Sequence, residues 1–452
     1  MSTSGDEHAR WRARDLAALW HPCSQMQEHR DGAPLITIRR GQGAWIEDVS
    51  GKRYLDAISS WWTNLFGHAH PRIAAAIGRQ ASELEQVILA GFGHPPAIEL
   101  AERLLSVAPP GLGKAFFADN GSAAVEVALK MSFHAHRNQG RSRDLFVALE
   151  NGYHGETLGA LAVTDIPLYR EIYAPLMMQP LFAPSPDAYL RGDDESAEDC
   201  ALRAAEGLSR LFEQHDGRIA ALILEPLVQC AGGMRMYHPA YLRAARALCD
   251  RHGVFLIADE IAVGFGRTGT LFACEQAGIT PDLMCLSKGL TGGFLPLAVT
   301  LVRDALYEAF LDSSRERGFL HSHSYTGNPI ACAAALEVLN LFADEDVIAR
   351  NRELASRLAQ ASHAIAEMPQ VAESRQTGMI VAFELTPDGS RHSSYPSAER
   401  RGRRAYHAAL ERSVLLRPLG DVLYWMPPYC LQQDELDQLA DVTRHAIAVA
   451  CA

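Results

Sequence analysis

No stretch of this 452-residue chain is apolar for long enough to cross a bilayer, and its opening residues, MSTSGDEHARW, lack the basic-then-apolar order of a secretion signal. No Cys-x-x-Cys pair occurs among its nine scattered cysteines, which argues for reduced thiols over a disulfide framework or a zinc site. Basic residues are in deficit: 42 Lys and Arg against 54 Asp and Glu leave a net charge of −12, which disfavours nonspecific nucleic-acid binding. There is no internal repeat and no low-complexity tract. These absences leave the expectation of a soluble cytoplasmic protein without nucleic-acid or membrane partners. The 48% hydrophobic and 21% charged content is that of an ordinary globular chain, and the length suffices for a large core and two domains.

What is present is concentrated between Val254 and Gly293. Two short apolar runs, Val254–Ala258 and Leu283–Leu286, lack the apolar/polar alternation of a half-exposed strand and read as buried strands of a parallel sheet. The first ends in Asp259 and Glu260, the second in Lys288. Ligands of open α/β sheets bind outside the carboxyl ends of the strands, so this acid and this lysine can meet at one site. Alone, either is an ordinary surface charge; together with Gly121-Ser122 and Arg417 they form the set that pyridoxal phosphate requires. That cofactor needs a lysine for its aldehyde carbon, an acid facing its ring nitrogen and a cradle for its phosphate. A lysine at a buried strand end can shed its proton and become nucleophilic.

The same stretch holds a decoy. Gly264-Phe265-Gly266-Arg267-Thr268-Gly269 fits the dinucleotide pattern, but that fingerprint opens a helix directly after a strand with an acid further on. Here five residues intervene and the acid comes first, so the reading is a sharp surface turn carrying Arg267.

In chain order, Pro34 to Asp56 alternates as an antiparallel meander. The pair Trp61-Trp62, beside Ser, Thr and Asn, suits either the core or the wall of a substrate pocket. Ile73 to Val107 is helical, broken at Gly91–Pro96. A strand at Lys114–Ala118 leads through Asp119–Ser122 into a helix from Ala123 to Asn138. That turn either cradles an anion at Gly121 and Ser122 or is a plain N-cap by Ser122. The strand Leu145–Leu149 ends near Tyr153, placed to lie over a flat ring or to sit as a half-buried loop tyrosine. Pro184 to Asp199 is acidic and reads as an exposed loop; Ile219–Leu224 is a buried strand ending at Glu225. Strands alternating with helices from about 114 to 300 are the mark of a parallel, doubly wound α/β sheet. His321 and His323 invite a metal, but no His-Glu-x-x-His and no carboxylate at ligand spacing accompany them, so no metal is expected. Met379–Leu385 and Val414–Leu416 are strands, and the last helix is Gln433–Ala450. Arg417 follows a strand end and precedes a proline, suited to hold a carboxylate or to lie free at the surface.

With those residues in view the chain resembles the class III aminotransferases. The resemblance rests on FFADNGSAAVEVALKM around Ser122, NGYHGET around Tyr153, LILEPLVQCAGGMRMYHP from Leu222, LIADEIAVGFGRTG around Asp259, the Ser-Lys-Gly-Leu-Thr-Gly-Gly run at Lys288, TGNPIACAAALEVL and LLRPLGDVLYWMPPY. It spans nearly the whole chain. It implies a fold-type I pyridoxal-phosphate transferase, with a mostly parallel seven-stranded sheet, flanking helices and a smaller α+β domain. Residues 1–70 would be an N-terminal segment of the small domain, 71–330 the large cofactor-binding domain, and 331–452 the C-terminal small domain.

The resemblance further implies that Lys288 joins the cofactor and moves the proton, Asp259 pairs with the ring nitrogen, and Gly121 and Ser122 hold the phosphate. His323 and Ser324 would reach in from the other subunit of a homodimer. Tyr153 would lie against the ring, Trp61 and Trp62 line the acceptor pocket, Arg417 take the acceptor's carboxylate, and Glu225 stand behind the residues that touch the ring. Ser322 occupies a position where the family has a glycine that touches substrate. Cys23 stands where a tyrosine often helps to recognise the acceptor, His323 replaces a common proline, and Glu156 a common aspartate. Trp61-Trp62 and the run from Cys230 to Met236 are similar to those members that move the amino group of S-adenosyl-L-methionine to 8-amino-7-oxononanoate. The alternative is a member acting on an ω-amino acid or diamine with pyruvate or 2-oxoglutarate.

Overall fold

The computed structural model describes residues 4–452. Its centre is a seven-stranded sheet in the order Leu112–Ala118, Ala298–Arg303, Leu283–Leu286, Phe255–Asp259, Ile219–Leu224, Leu145–Leu149, Leu181–Ala183. Ala298–Arg303 runs antiparallel to both its neighbours and the other neighbouring pairs are parallel. Helices cover both faces, which is why Ile219–Leu224 and Leu283–Leu286 are buried at every residue and carry no polar alternation. The expected doubly wound α/β architecture is therefore present. Register aligns the strand ends: Ala258 pairs with Leu224 and Asp259 with Cys285, so Glu225, Asp259 and Lys288 leave the sheet side by side.

Two smaller sheets flank this one. The meander Ile38–Gln42, Trp45–Asp48, Arg53–Asp56 gains a fourth strand from the far end of the chain, Val414–Leu415, which pairs with Leu55 and Asp56. Val371–Thr377, Ile380–Leu385 and Val422–Trp425 form an antiparallel three-stranded sheet. The helices Val347–Ala366 and Gln433–Ala450 also belong to this C-terminal part, the latter opening on a capping box between Gln432 and Glu435. Among the described residues no helix is long and apolar enough to cross a membrane.

Four expectations need correction. The helix before the Gly91 loop stops at Ala81, where Gln80 Nε2 turns to the Leu84 carbonyl (3.0 Å). Helix resumes only at Pro95 under a His94 side-chain cap. The acidic stretch after Pro184 is not wholly exposed: Asp187 and Tyr189 are buried, and Arg235 lies 4.8 Å over the Tyr189 ring. The helix expected from Ala123 begins at Gly121 and is capped by Asn120, whose side chain accepts from Ala123 N (3.0 Å). Ser122 is thus left free of the capping role. The Gly264–Gly269 turn is an interior joint, not a surface turn. Arg267 is 1% exposed and donates to the carbonyls of Pro427 (2.7 Å), Asn64 (3.3 Å) and Met426 (3.4 Å), with its guanidinium 5.0 Å from the Tyr429 ring. Gly378, at φ 57°, seals the joint: a Cβ there would come within 2.4 Å of the Thr268 carbonyl carbon.

Candidate active site

The carboxyl edge of the sheet opens into a cavity of about 330 Å³ lined by Lys288, Asp259, Glu225, Tyr153, Trp62 and the Asn120–Ser122 turn, with His154 and Ile261 among its other walls. Lys288 is the second residue after its strand and is held at φ 44°, a left-handed conformation that costs a non-glycine residue energy and needs its surroundings to fix it. No carboxylate lies within ion-pair distance of its ammonium among the described residues; the nearest partner identified is the Trp62 ring, 4.9 Å away. Burial lowers the pKa of this amine, and Asp259 opposes the shift from further off. A buried lysine released of its proton is a nucleophile and a base.

Asp259 is buried and doubly anchored, Oδ2 to His154 Nδ1 (2.8 Å) and Oδ1 to the backbone N–H of Ile261 (3.1 Å). The other ring nitrogen of His154, Nε2, is buried with no partner, and His154 N donates to Thr164 Oγ1 (2.9 Å). His154 thereby fixes the aspartate's direction; its placement right after Tyr153 gives no sign of this in sequence. Glu225 accepts from the backbone N–H groups of Tyr153 and Cys230 (3.0 Å each). Burial, reinforced by the Asp259 charge, raises its pKa to about 7, against the opposing pull of His154.

The helix Gly121–Asn138 points its N-terminus at the cavity, so its first N–H groups and dipole face an anion placed there. Two glycines keep this corner open. A Cβ on Gly155 would fall 2.1 Å from Ser122 Oγ, and one on Gly121 would press Ile261 at 3.1 Å. Ser122 Oγ accepts from Glu156 N (3.2 Å) and keeps its own proton to donate. An amine, an acid set to face it and an anion cradle around one small cavity are what pyridoxal phosphate requires, and the residues fit it.

The remaining sequence candidates divide into two groups. At the mouth, the Arg417 guanidinium lies 5.1 Å over the Trp61 ring and donates to the Cys23 carbonyl (3.4 Å), while Tyr153 OH donates to Glu156 Oε1 (3.1 Å). Cys23 Sγ is 3.9 Å from that same Glu156 oxygen. The two tryptophans therefore separate: Trp62 is buried, its Nε1 bonded to Tyr424 OH (3.0 Å), whereas Trp61 is 44% exposed. The second group, Ser322, His323 and Ser324, does not line this cavity; both serines are exposed and the histidine is half-buried. Asn120, Ser287 and Ala262 line the cavity without having been singled out from sequence, and only Asn120, an N-cap type before a helix, carried a readable signal.

The chain belongs to the class III aminotransferases, whose family model matches residues 26–447, and it is accordingly a pyridoxal-phosphate enzyme. Among its relatives is the adenosylmethionine-8-amino-7-oxononanoate aminotransferase of Helicobacter pylori, 44% identical over 431 residues that cover 94% of each chain. The enzyme of the same name from Nitratidesulfovibrio vulgaris is 44% identical over 443 residues, 97% of this chain and 82% of that one. The crystal structure of the Methanocaldococcus jannaschii enzyme of that name superposes with a TM-score of 0.91 at 34% identity, covering 97% of this chain and 99% of that one. An omega transaminase from Pseudomonas jessenii in complex with PMP superposes at 0.92 with 29% identity, covering 97% and 98%.

Glu225 gives this site a pH signature. Its folded pKa of about 7 exceeds its ordinary value of 4.5, so the folded state holds a proton that the unfolded chain has released. Its contribution to stability is full below 4.5 and is lost as pH rises through about 7. Glu225→Gln removes that loss. Denaturant unfolding of the cofactor-free variant should fall less steeply with pH across this window than wild type, by about 3 kcal/mol at most. Parallel profiles would refute the assignment.

Proposed function

We propose that this enzyme moves the amino group of S-adenosyl-L-methionine to 8-amino-7-oxononanoate, giving the 7,8-diaminononanoate of biotin synthesis. The observation that carries the reading is 44% identity, over 94–97% of this chain, to relatives of that name; among the solved structures the enzyme of that name is 34% identical and the omega transaminase 29%. The mouth is consistent with it. Arg417 stands over Trp61 at the open end, placed for the acceptor's carboxylate, and the faces of Trp61 and Tyr153 suit the sulfonium cation of the donor.

In this reading Asn120, Gly121 and Ser122 hold the phosphate and Asp259, steered by His154, holds the ring nitrogen. The bound cofactor supplies an electron sink for the carbon that loses a proton. Lys288 Nζ takes that proton from the donor carbon and returns one to the acceptor carbon, while the Trp62 wall keeps water from the amine. One site serves both substrates in turn, which makes the kinetics ping-pong.

We infer a homodimer. That Ser322, His323 and Ser324 stand away from their own cavity, beside the exposed apolar Leu320 and Tyr325, supports their serving the site of a second subunit. Residues 1–70 and 331–452 are assigned to a small domain and 71–330 to the large one. The cytoplasm is the assigned compartment, a choice supported by nine unpaired thiols.

The half-reaction tests the substrate assignment. S-adenosyl-L-methionine alone should bleach the yellow absorbance of the holoenzyme, and 8-amino-7-oxononanoate should restore it; lysine, alanine and glutamate should do neither. Bleaching by one of those amines and not by S-adenosyl-L-methionine would move the chain to an ω-amino acid or diamine aminotransferase.

A further inference from the structure

The N-terminal segment crosses the mouth of the site as a strap and is fastened on its far side. The Glu28 carboxylate, in the short helix Met26–Arg30, receives Arg400 on one oxygen and Arg403 on the other, both at the start of the helix Arg401–Glu411. These two guanidiniums hold the carboxyl down at about 2, so the clasp stays charged at any working pH. Before Cys23, His21 Nε2 meets Asp15 Oδ1 (2.6 Å) on the helix Ser4–Ala18; after it, Arg12 of that helix donates to the carbonyl of His29, the neighbour of Glu28 (2.6 Å). Between these fastenings Cys23 is held at φ 48°, and its carbonyl faces Arg417.

Arg417 has no carboxylate partner among the described residues. Its guanidinium is exposed, with the Trp61 ring beneath and the Cys23 carbonyl beside it. The carbonyl contact, at 3.4 Å, is long and yields to small displacements of the strap. An unrestrained arginine must surrender rotamer freedom on binding a carboxylate, a cost that a fixed guanidinium has already met.

We propose that Glu28 is a positioning residue for substrate carboxylate: by clasping Arg400 and Arg403 it holds the strap so that the Cys23 carbonyl aims Arg417 into the mouth. The inference rests on the assignment of Arg417 as the carboxylate-binding group.

The test is steady-state kinetics of the holoenzyme carrying Glu28→Gln, Glu28→Asp or Arg417→Ala. Glu28→Gln should raise KM for 8-amino-7-oxononanoate about fivefold, the scale of a lost exposed ion-pair network, with kcat within about twofold of wild type. Glu28→Asp, which keeps the charge, should recover most of the affinity. Added salt should raise the wild-type KM toward that of Glu28→Gln and move the variant's own KM less, because the clasp is open to screening. An unchanged KM in Glu28→Gln beside a raised KM in Arg417→Ala overturns the clasp and leaves Arg417 in its role. An unchanged KM in Arg417→Ala overturns the role of Arg417 and the clasp with it. A fall in kcat in Glu28→Gln at constant KM also overturns the proposal, since the damage would then lie at the reacting atoms.

Discussion

Replacing Lys288 by alanine lowers turnover by a factor on the order of 10⁴ or more, the top of the range that one positioned acid–base group supplies. The change is chemical and not structural. Lys288 Nζ has no ion pair to break, only the Trp62 face at 4.9 Å, and its removal relieves a desolvated amine. No other cavity group can stand in for it: the Tyr153 phenol is pushed up by burial and tied to Glu156, and Asp259 is committed to His154 and Ile261. Lys288→Arg should be equally inactive, since a guanidinium keeps its proton at every working pH. Loss of the yellow absorbance in both variants, with unchanged far-ultraviolet circular dichroism, is the supporting measurement. A Lys288→Ala protein within tenfold of wild-type turnover would remove Lys288 from the mechanism.

Arg267→Met costs about 3–4 kcal/mol of stability, the scale of stranding buried acceptors that a charged donor had satisfied. Methionine keeps most of the volume, so a cavity is not the cause. The carbonyls of Pro427, Asn64 and Met426 lose their donor and Tyr429 loses its cation. The opposing effect is real, because burial depresses the pKa of Arg267 and outweighs the pull of Tyr429 and Asp56 in the other direction. It is the smaller one here: the guanidinium ties two distant backbone segments, Asn64 and Met426–Pro427, to its own turn, while methionine ties none. Denaturant unfolding should show the loss, with a lower midpoint in Arg267→Met and a smaller deficit in Arg267→Lys, which retains one donor group. Equal midpoints for wild type and Arg267→Met would show that desolvation cancels the three bonds.

Asp259 and Lys288 were legible as site candidates because chemistry and periodicity coincide at strand ends. A fully apolar run announces a strand buried on both faces, and the first charge after it announces the edge where ligands bind, as at Asp259 and Lys288. Arg267 was misread for a related reason. Glycine-rich turns usually face water, and only contacts with Asn64 and Met426–Pro427, far away in sequence, make this one interior. Tyr189 and Asp187 were missed in the same way, since the arginine that covers them, Arg235, comes from another element. His154 was hidden because its partner Asp259 is 105 residues away. Long-range partners leave no local pattern.

The pairing of Val414–Leu415 with Leu55 and Asp56 has a consequence for biogenesis. A ribosome delivers residues in order, so every residue that lines the cavity has been made once Lys288 has emerged. The strand bearing Leu55 must wait, its edge unpaired, until the codon for Val414 has been read. An open edge of that kind is a template for wrong partners. The unfinished polypeptide thus passes through an interval in which its cavity lining is complete but it has no Arg417 at the mouth and no cover for its first sheet. Early cofactor capture during that interval would steady the nascent chain by mass action before its substrate-binding end exists.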